Sequence, residues 1–238
     1  MGRFFTSFEE AWRSFLDRKE PLESFFAEFP EAESYIVTWL LPFDKALVPR
    51  VRAVQESFAP LDWITPQPEH FLHTSVAAVA VSDRRPTNEE IGFAVERARQ
   101  AWAGVEAFEV EYRRVNCFHP AVVVEVFGRG PSALVSRLAQ SGYWDGLPID
   151  GAVDAVDPEL FLAHVTIGLV NEPHDASPLR DVLVPIRDAE LGSQSIHEAA
   201  LCVVPASRTT ILTRWDVVAR VRFDRAESFE KSPTTTSA

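Results

Sequence analysis

The chain uses one short pattern twice. His73-Thr74-Ser75-Val76 and His164-Val165-Thr166-Ile167 both read histidine, any residue, a hydroxyl residue, a hydrophobic residue. Each sits in an apolar, β-branched run, FLHTSVAAVAV over 71–81 and FLAHVTIGLV over 161–170, which predicts a strand. In a strand, residues i and i+2 share a face. His73 therefore projects with Ser75, and His164 with Thr166, while Thr74 and Val165 point the other way. The flanks agree too: Glu69-His70-Phe71-Leu72 precedes the first pattern and Glu159-Leu160-Phe161-Leu162 the second. A loop rich in Pro or Asp precedes each, at 63–68 and 154–158. The chain thus uses one unit twice, 91 residues apart.

A histidine of ordinary context meets this pattern about once in twenty cases, and a lone match is most often a hydrogen-bonded core residue. Two matches among six histidines, in strands with matching flanks, point to chemistry. Cleaving a phosphodiester near neutral pH needs a base for the nucleophile and an acid for the leaving oxygen, and imidazole serves in both roles. A hydroxyl two residues after each histidine is placed to donate to the non-bridging phosphate oxygens. This arrangement calls for no metal or other cofactor. No H-x-x-x-H or paired-cysteine spacing suggests zinc. G-x-x-x-x-G-K-[ST], G-x-G-x-x-G and the G-x-S-x-G elbow are also absent.

The remaining pattern fits an α+β chain. Strands are expected over 35–42, 108–115, 121–127, 182–191, 199–204 and 215–223, several joined by hairpin-length loops. Helices are expected from Asp44 to near Pro60, from Thr87 or Asn88 to about Trp102, and from Pro131 to Leu138. Hairpin connections favour antiparallel sheets over a doubly wound parallel one. Phe8, Trp12, Phe15 and Leu16 fall on one helix face. Leu22, Phe25, Phe26 and Phe29 suggest a second short helix between Pro21 and Pro30. Its acidic neighbours argue against a membrane surface and favour packing on the main domain, with a lid or partner contact as the alternative. The tail KSPTTTSA is polar and of low complexity, as disordered segments are.

With 238 residues the chain is one large domain or two lobes sharing a core. Its formal charge of −12 argues against long nucleic acid, which needs a basic surface, but does not oppose a small phosphate ligand. Cys117 and Cys202 are too few for a disulfide framework. No apolar run is long enough to span a bilayer, and the first twenty residues do not read as a signal peptide, so a cytoplasmic protein is expected.

The motifs HTSV and HVTI, with FLAHVTIG and the intervening FEVEYRRVNCFHPAVVVEVFG, resemble the two-histidine (2H) phosphoesterase superfamily. The closest likeness is to its bacterial branch of 2′-5′ RNA ligases and RNA 2′,3′-cyclic phosphodiesterases. The resemblance covers about residues 34–223. Residues 1–33 form an N-terminal helical extension, and 224–238 a disordered tail. The resemblance implies a bilobal fold with two antiparallel sheets flanking a central cleft and helices outside. It also implies metal-independent hydrolysis of 2′,3′-cyclic phosphates or 2′-5′ diesters in a nucleotide or short RNA end. By motif match, His73 and His164 are the acid–base pair, and Ser75 and Thr166 bind phosphate. Two departures stand out. Ser75 replaces the Thr of many members, and Gly168-Leu169-Val170 lacks the basic residue common in RNA-processing members. A small nucleotide is therefore expected rather than a large RNA. Trp39, Phe71 and Phe118 are candidates to stack on a base, with Tyr35 and Trp63 behind them. Arg113 and Arg114 are candidates to reach phosphate. A monomer is expected. The alternative is a nucleotide-binding or sensing module with little turnover, using the same residues.

Overall fold

The computed structural model describes residues 5–118, 120–211 and 214–223. His119 and the expected disordered tail lie outside them. Nine strands, β1 (Ser34–Pro42), β2 (Ile64–Pro66), β3 (His73–Ser82), β4 (Phe108–Phe118), β5 (Ala121–Phe127), β6 (His164–Val170), β7 (Glu190–Ile196), β8 (Glu198–Ala206) and β9 (Asp216–Arg222), alternate with five helices. The helices are α1 (Phe8–Leu16), α2 (Val48–Phe58), α3 (Asn88–Ala101), α4 (Gly130–Gln140) and α5 (Ser177–Leu183).

All described strand pairings are antiparallel, and they join the expected two sheets into one curled nine-stranded sheet with two lobes. In one the order is β3-β1-β8-β9, and in the other β7-β4-β5-β6, with β2 also on β6. The lobes meet where β3 lies beside β6, through the pair Thr74↔Val165. Helices α3 and α4 cover the first lobe, against β9 and β3. Helix α2 packs on β6 and α5, and α1 on β4. The fold is thus α+β and bilobal, with the motif strands innermost in both lobes.

Local chemistry explains these elements. Thr87 and Glu90 form a reciprocal capping box at the start of α3. The strands of the central seam are β-branched and nearly wholly buried: VVVEV of β5 shows no exposed position, as expected for strands covered on both faces. Gly168 in β6 lets α2 approach closely. A Cβ there would stand 3.0 Å from the Phe58 ring and 3.2 Å from Ile64 Cγ2.

Two sequence expectations need correction. The stretch 182–191 is not one strand. Asp175 accepts a hydrogen bond from the Ser177 N–H at 2.6 Å, and Pro178 opens α5 in its first turn. Helix and 3-10 turn continue through Ile186, and the strand begins at Glu190. Likewise, the expected second N-terminal helix is only a 3-10 turn, Phe25–Glu28. Leu22 is drawn into a two-way backbone bridge with His174, at 2.8 and 3.1 Å.

Candidate active site

The site grows out of the seam. Antiparallel register around Thr74↔Val165 sets His73 across from Thr166, and Ser75 across from His164. Thr74 and Val165 are buried, at 1% and 0% exposure. The four motif side chains with the opposite alternation line the cleft between the lobes.

Both imidazoles are anchored the same way. His73 Nδ1 lies 2.6 Å from the Phe71 carbonyl, and His164 Nδ1 lies 2.7 Å from the Leu162 carbonyl. A carbonyl only accepts, so each Nδ1 carries a hydrogen and each neutral ring keeps its lone pair on Nε2. The Ser75 hydroxyl lies 3.2 Å from His73 Nε2, where it can donate. An aromatic ring backs each histidine: Trp215 against His73, with centroids 5.0 Å apart, and Phe118 edge-on to His164 at 4.9 Å.

Burial pushes the His73 imidazole down to about 4, the Phe71 carbonyl opposes that shift, and charge on His164 pushes it down further. Burial also lowers His164, against the Leu162 carbonyl. Both rings are therefore neutral at pH 7 in the free protein, and a proton on one disfavours a proton on the other. An anion held between them would favour one shared positive charge. That is the state an acid–base pair needs.

The cleft has two chambers. One, of about 340 Å³, holds His73 with Phe71, Leu40, Ile211 and Trp215 on its walls. The other, of about 440 Å³, holds His164 with Phe118, Leu160 and Phe161. Ser75, Thr166 and Phe25 line both. Among the described residues, no Lys, Arg, Asp or Glu lines either chamber. Among the described residues, no cluster of His, Cys, Asp and Glu could hold a metal ion. No helix there is long and apolar enough to cross a membrane.

The other candidates divide. Phe71, 3% exposed, is a wall of the first chamber, and Phe118 is a wall of the second. Trp39 is not in the cleft. It is 0% exposed in the main core, donates its indole N–H to Tyr143 Oη at 2.9 Å and meets Trp102 edge-on. Strand alternation accounts for this: Leu40 faces the cleft-side cluster while Trp39, one residue before it, faces the helix-covered core. Trp63 stacks flat on His174 at 4.3 Å, and Tyr35 bonds Glu33. Arg113 and Arg114 do not end a strand. They flank a bulge in β4 where Arg114 has φ 63°, and both guanidinium groups lie over Phe127, at 4.2 and 5.9 Å.

Sequence reasoning missed Trp215, which sits at the start of an expected strand with no motif around it. It also missed Glu125, which pairs with His164 in register and is 0% exposed. Its carboxylate accepts from Asn116 at 2.7 Å and pairs with Arg187 at 2.6 Å. Burial pushes its pKa up against the pull of both partners. The single acid in an apolar strand, VVVEVF, was the available signal.

No protein-family model matches the sequence, and no curated protein matches it. Solved structures share its fold. Escherichia coli LigT complexed with 3′-AMP is 14% identical, with a TM-score of 0.58, covering 81% of this chain and 99% of that one. A structure described as a phosphoesterase is 15% identical, with a TM-score of 0.57, covering 80% and 98%. TT0787 of Thermus thermophilus is 12% identical, with a TM-score of 0.53, covering 80% and 98%. These likenesses show the fold.

Proposed function

We propose that this chain, which has the fold of LigT, is a two-histidine phosphodiesterase that hydrolyses 2′,3′-cyclic phosphate or 2′-5′ phosphodiester bonds without a metal. The observation that carries the reading is the matched anchoring of His73 and His164. Both Nδ1–H groups are tied to the carbonyl two residues back, so both Nε2 atoms are available at one cleft. LigT, the fold neighbour, has been crystallised with 3′-AMP, ATP, NADP+ and phosphate, which supports a nucleotide-sized phosphate ligand.

In the proposed reaction the diester sits between the rings, with its non-bridging oxygens taking hydrogen bonds from Ser75 and Thr166. The neutral Nε2 of one histidine takes a proton from water as the water oxygen bonds to phosphorus. The bond from phosphorus to the leaving oxygen breaks, and the other histidine, protonated at Nε2, gives that oxygen its proton. The product is a phosphomonoester, and the two rings have exchanged protonation states. Donors already aimed at the phosphate lower the barrier because they need no reorganisation.

The test is a turnover panel in EDTA with 2′,3′-cyclic mononucleotides, a 2′-5′-linked dinucleotide and a 3′-5′ control. Wild type and the His73→Ala/His164→Ala double variant are compared. Hydrolysis by the wild type alone is expected. Hydrolysis that persists in the double variant, or that EDTA abolishes, would sink the mechanism. Tight binding of the panel without hydrolysis would favour the binding-module alternative.

A further inference from the structure

Residues 21–30 cross the mouth of the cleft. On one side Leu22 is bridged to His174 by backbone bonds of 2.8 and 3.1 Å, and the Ser24 hydroxyl donates to the Asn171 carbonyl. Both anchors follow β6. On the other side Arg208 donates its backbone N–H to Pro30 O at 3.2 Å and its Nε–H to Phe29 O at 3.2 Å. Arg208 follows β8, in the opposite lobe. Between the anchors, Phe25 and Phe26 pack against the cleft-facing clusters of both lobes, Leu40 and Ala200 on one side and Val123 and Leu169 on the other. Phe25 and Phe29 complete the wall of the chamber that holds His73.

The chamber so closed has an unusual balance for a phosphate site. Its walls are mostly aromatic and aliphatic, with Thr38 and Gln67 beside the motif residues, and among the described residues neither chamber has a Lys or Arg in its lining. Among those residues the cationic charge available is a proton on the histidine pair. One such proton matches one phosphodiester charge. A second phosphate would enter an apolar chamber with no counter-charge, in a protein of net charge −12. Burying an unpaired charge is costly, whereas an uncharged group gains by covering apolar wall.

We infer that the substrate is a singly charged phosphodiester whose organic group is uncharged and largely apolar, and that Phe25 and Phe29 of the strap select for that group. This rests on the phosphodiesterase reading and narrows it. Polyanions such as nucleoside polyphosphates and 5′-phosphorylated oligonucleotides are excluded as good substrates. The specificity comes from the segment that precedes the resemblance to the known family.

The experiment uses the full chain and three diesters: phenyl methyl phosphate, a 2′,3′-cyclic mononucleotide, and the same cyclic mononucleotide carrying a 5′-phosphate. Binding of benzyl(ethyl)phosphinate, a singly charged phenyl compound with carbon in place of both ester oxygens and so no P–O–C bond to hydrolyse, and of a nucleoside triphosphate is measured alongside by calorimetry. The expected result is a kcat/KM at least tenfold lower for the 5′-phosphorylated substrate than for its unphosphorylated partner, and tighter binding of the phenyl compound than of the triphosphate. Phe25→Ala and Phe29→Ala should each raise KM for the phenyl or unphosphorylated substrate severalfold with kcat little changed. Phe25→Leu should recover most of the loss, which a merely unfolded strap would not allow. Equal or faster turnover of the 5′-phosphorylated substrate overturns the inference and leaves the phosphodiesterase reading standing. If nothing is hydrolysed, the phosphodiesterase reading fails, and the binding arm still decides the specificity: tighter binding of the triphosphate overturns it.

Discussion

Thr74 and Val165 face each other across the seam between the two lobes, and each is the central residue of a histidine motif. That one pair sets the whole site. It turns both middle residues into the core and both flanking pairs toward the cleft. The relationship is close to twofold: each histidine lies opposite the hydroxyl residue of the other motif. Each ring is held by the carbonyl two positions before it.

His73→Ala and His164→Ala should each lower kcat by about 10²–10⁴-fold, the usual worth of a positioned acid or base. The double variant should be little worse than either single one, because the two act as a unit. Additive losses would show that the rings act independently. Steady-state kinetics on a cyclic phosphate decide it, with circular dichroism as the control for folding.

The pH dependence follows from burial. Both free-enzyme imidazoles lie below the usual 6.5, His73 at about 4. The profile of kcat/KM, which reports the free enzyme, should peak on the acid side of pH 6.5. The profile of kcat should lie at higher pH, because a bound anion favours the protonated ring. Stability follows the same sign. Between pH 6.5 and about 4 the unfolded chain binds protons that folded His73 refuses, so stability falls with falling pH across that window. His73→Asn should flatten that slope in thermal melts, and an unchanged slope would contradict the buried neutral ring.

Glu125 and Arg187 are nearly or wholly withdrawn from water, with side-chain exposures of 0% and 11%. Glu125→Ala would leave the Arg187 guanidinium without its carboxylate and should cost about 3–5 kcal/mol in denaturant unfolding. Glu125→Gln, which keeps the shape and one acceptor, should cost less. Equal losses for the two would mean that the charge carries the whole contribution there and the packing of the side chain none.

Gly168→Ala should destabilise the protein. The added methyl would press on the Phe58 ring and Ile64 at 3.0–3.2 Å, and such overpacking costs about 1–3 kcal/mol. The double substitution Gly168→Ala/Phe58→Leu should recover part of the loss. Chemical denaturation of both variants against the wild type checks this.

The motif strands were legible because period-2 spacing with a β-branched run leaves little choice of element, and the duplicated flanks told which halves correspond. The start of α3 was legible to within one residue, at Thr87 or Asn88, and the reciprocal bonds with Glu90 single out Thr87. What sequence could not resolve depends on distant contacts. Trp39 reads as a cleft aromatic until the neighbouring strands fix which face of β1 is the cleft: Leu40 lies on it, and Trp39 on the other face beside Tyr143. Residues 182–191 read as a strand because Val and Leu dominate them, yet Asp175 and Pro178 had already begun a helix. The strap was visible as a row of phenylalanines. Its place over the cleft depends on backbone bonds to His174 and Arg208, which no local pattern announces.

Those two attachments have a mechanical consequence. With Leu22 tied to one lobe and Arg208 holding Phe29 and Pro30 on the other, the strap staples the two lobes together across the chamber of His73. The lobes cannot draw apart there unless those bonds break, so any widening of that chamber has to begin with release of the strap.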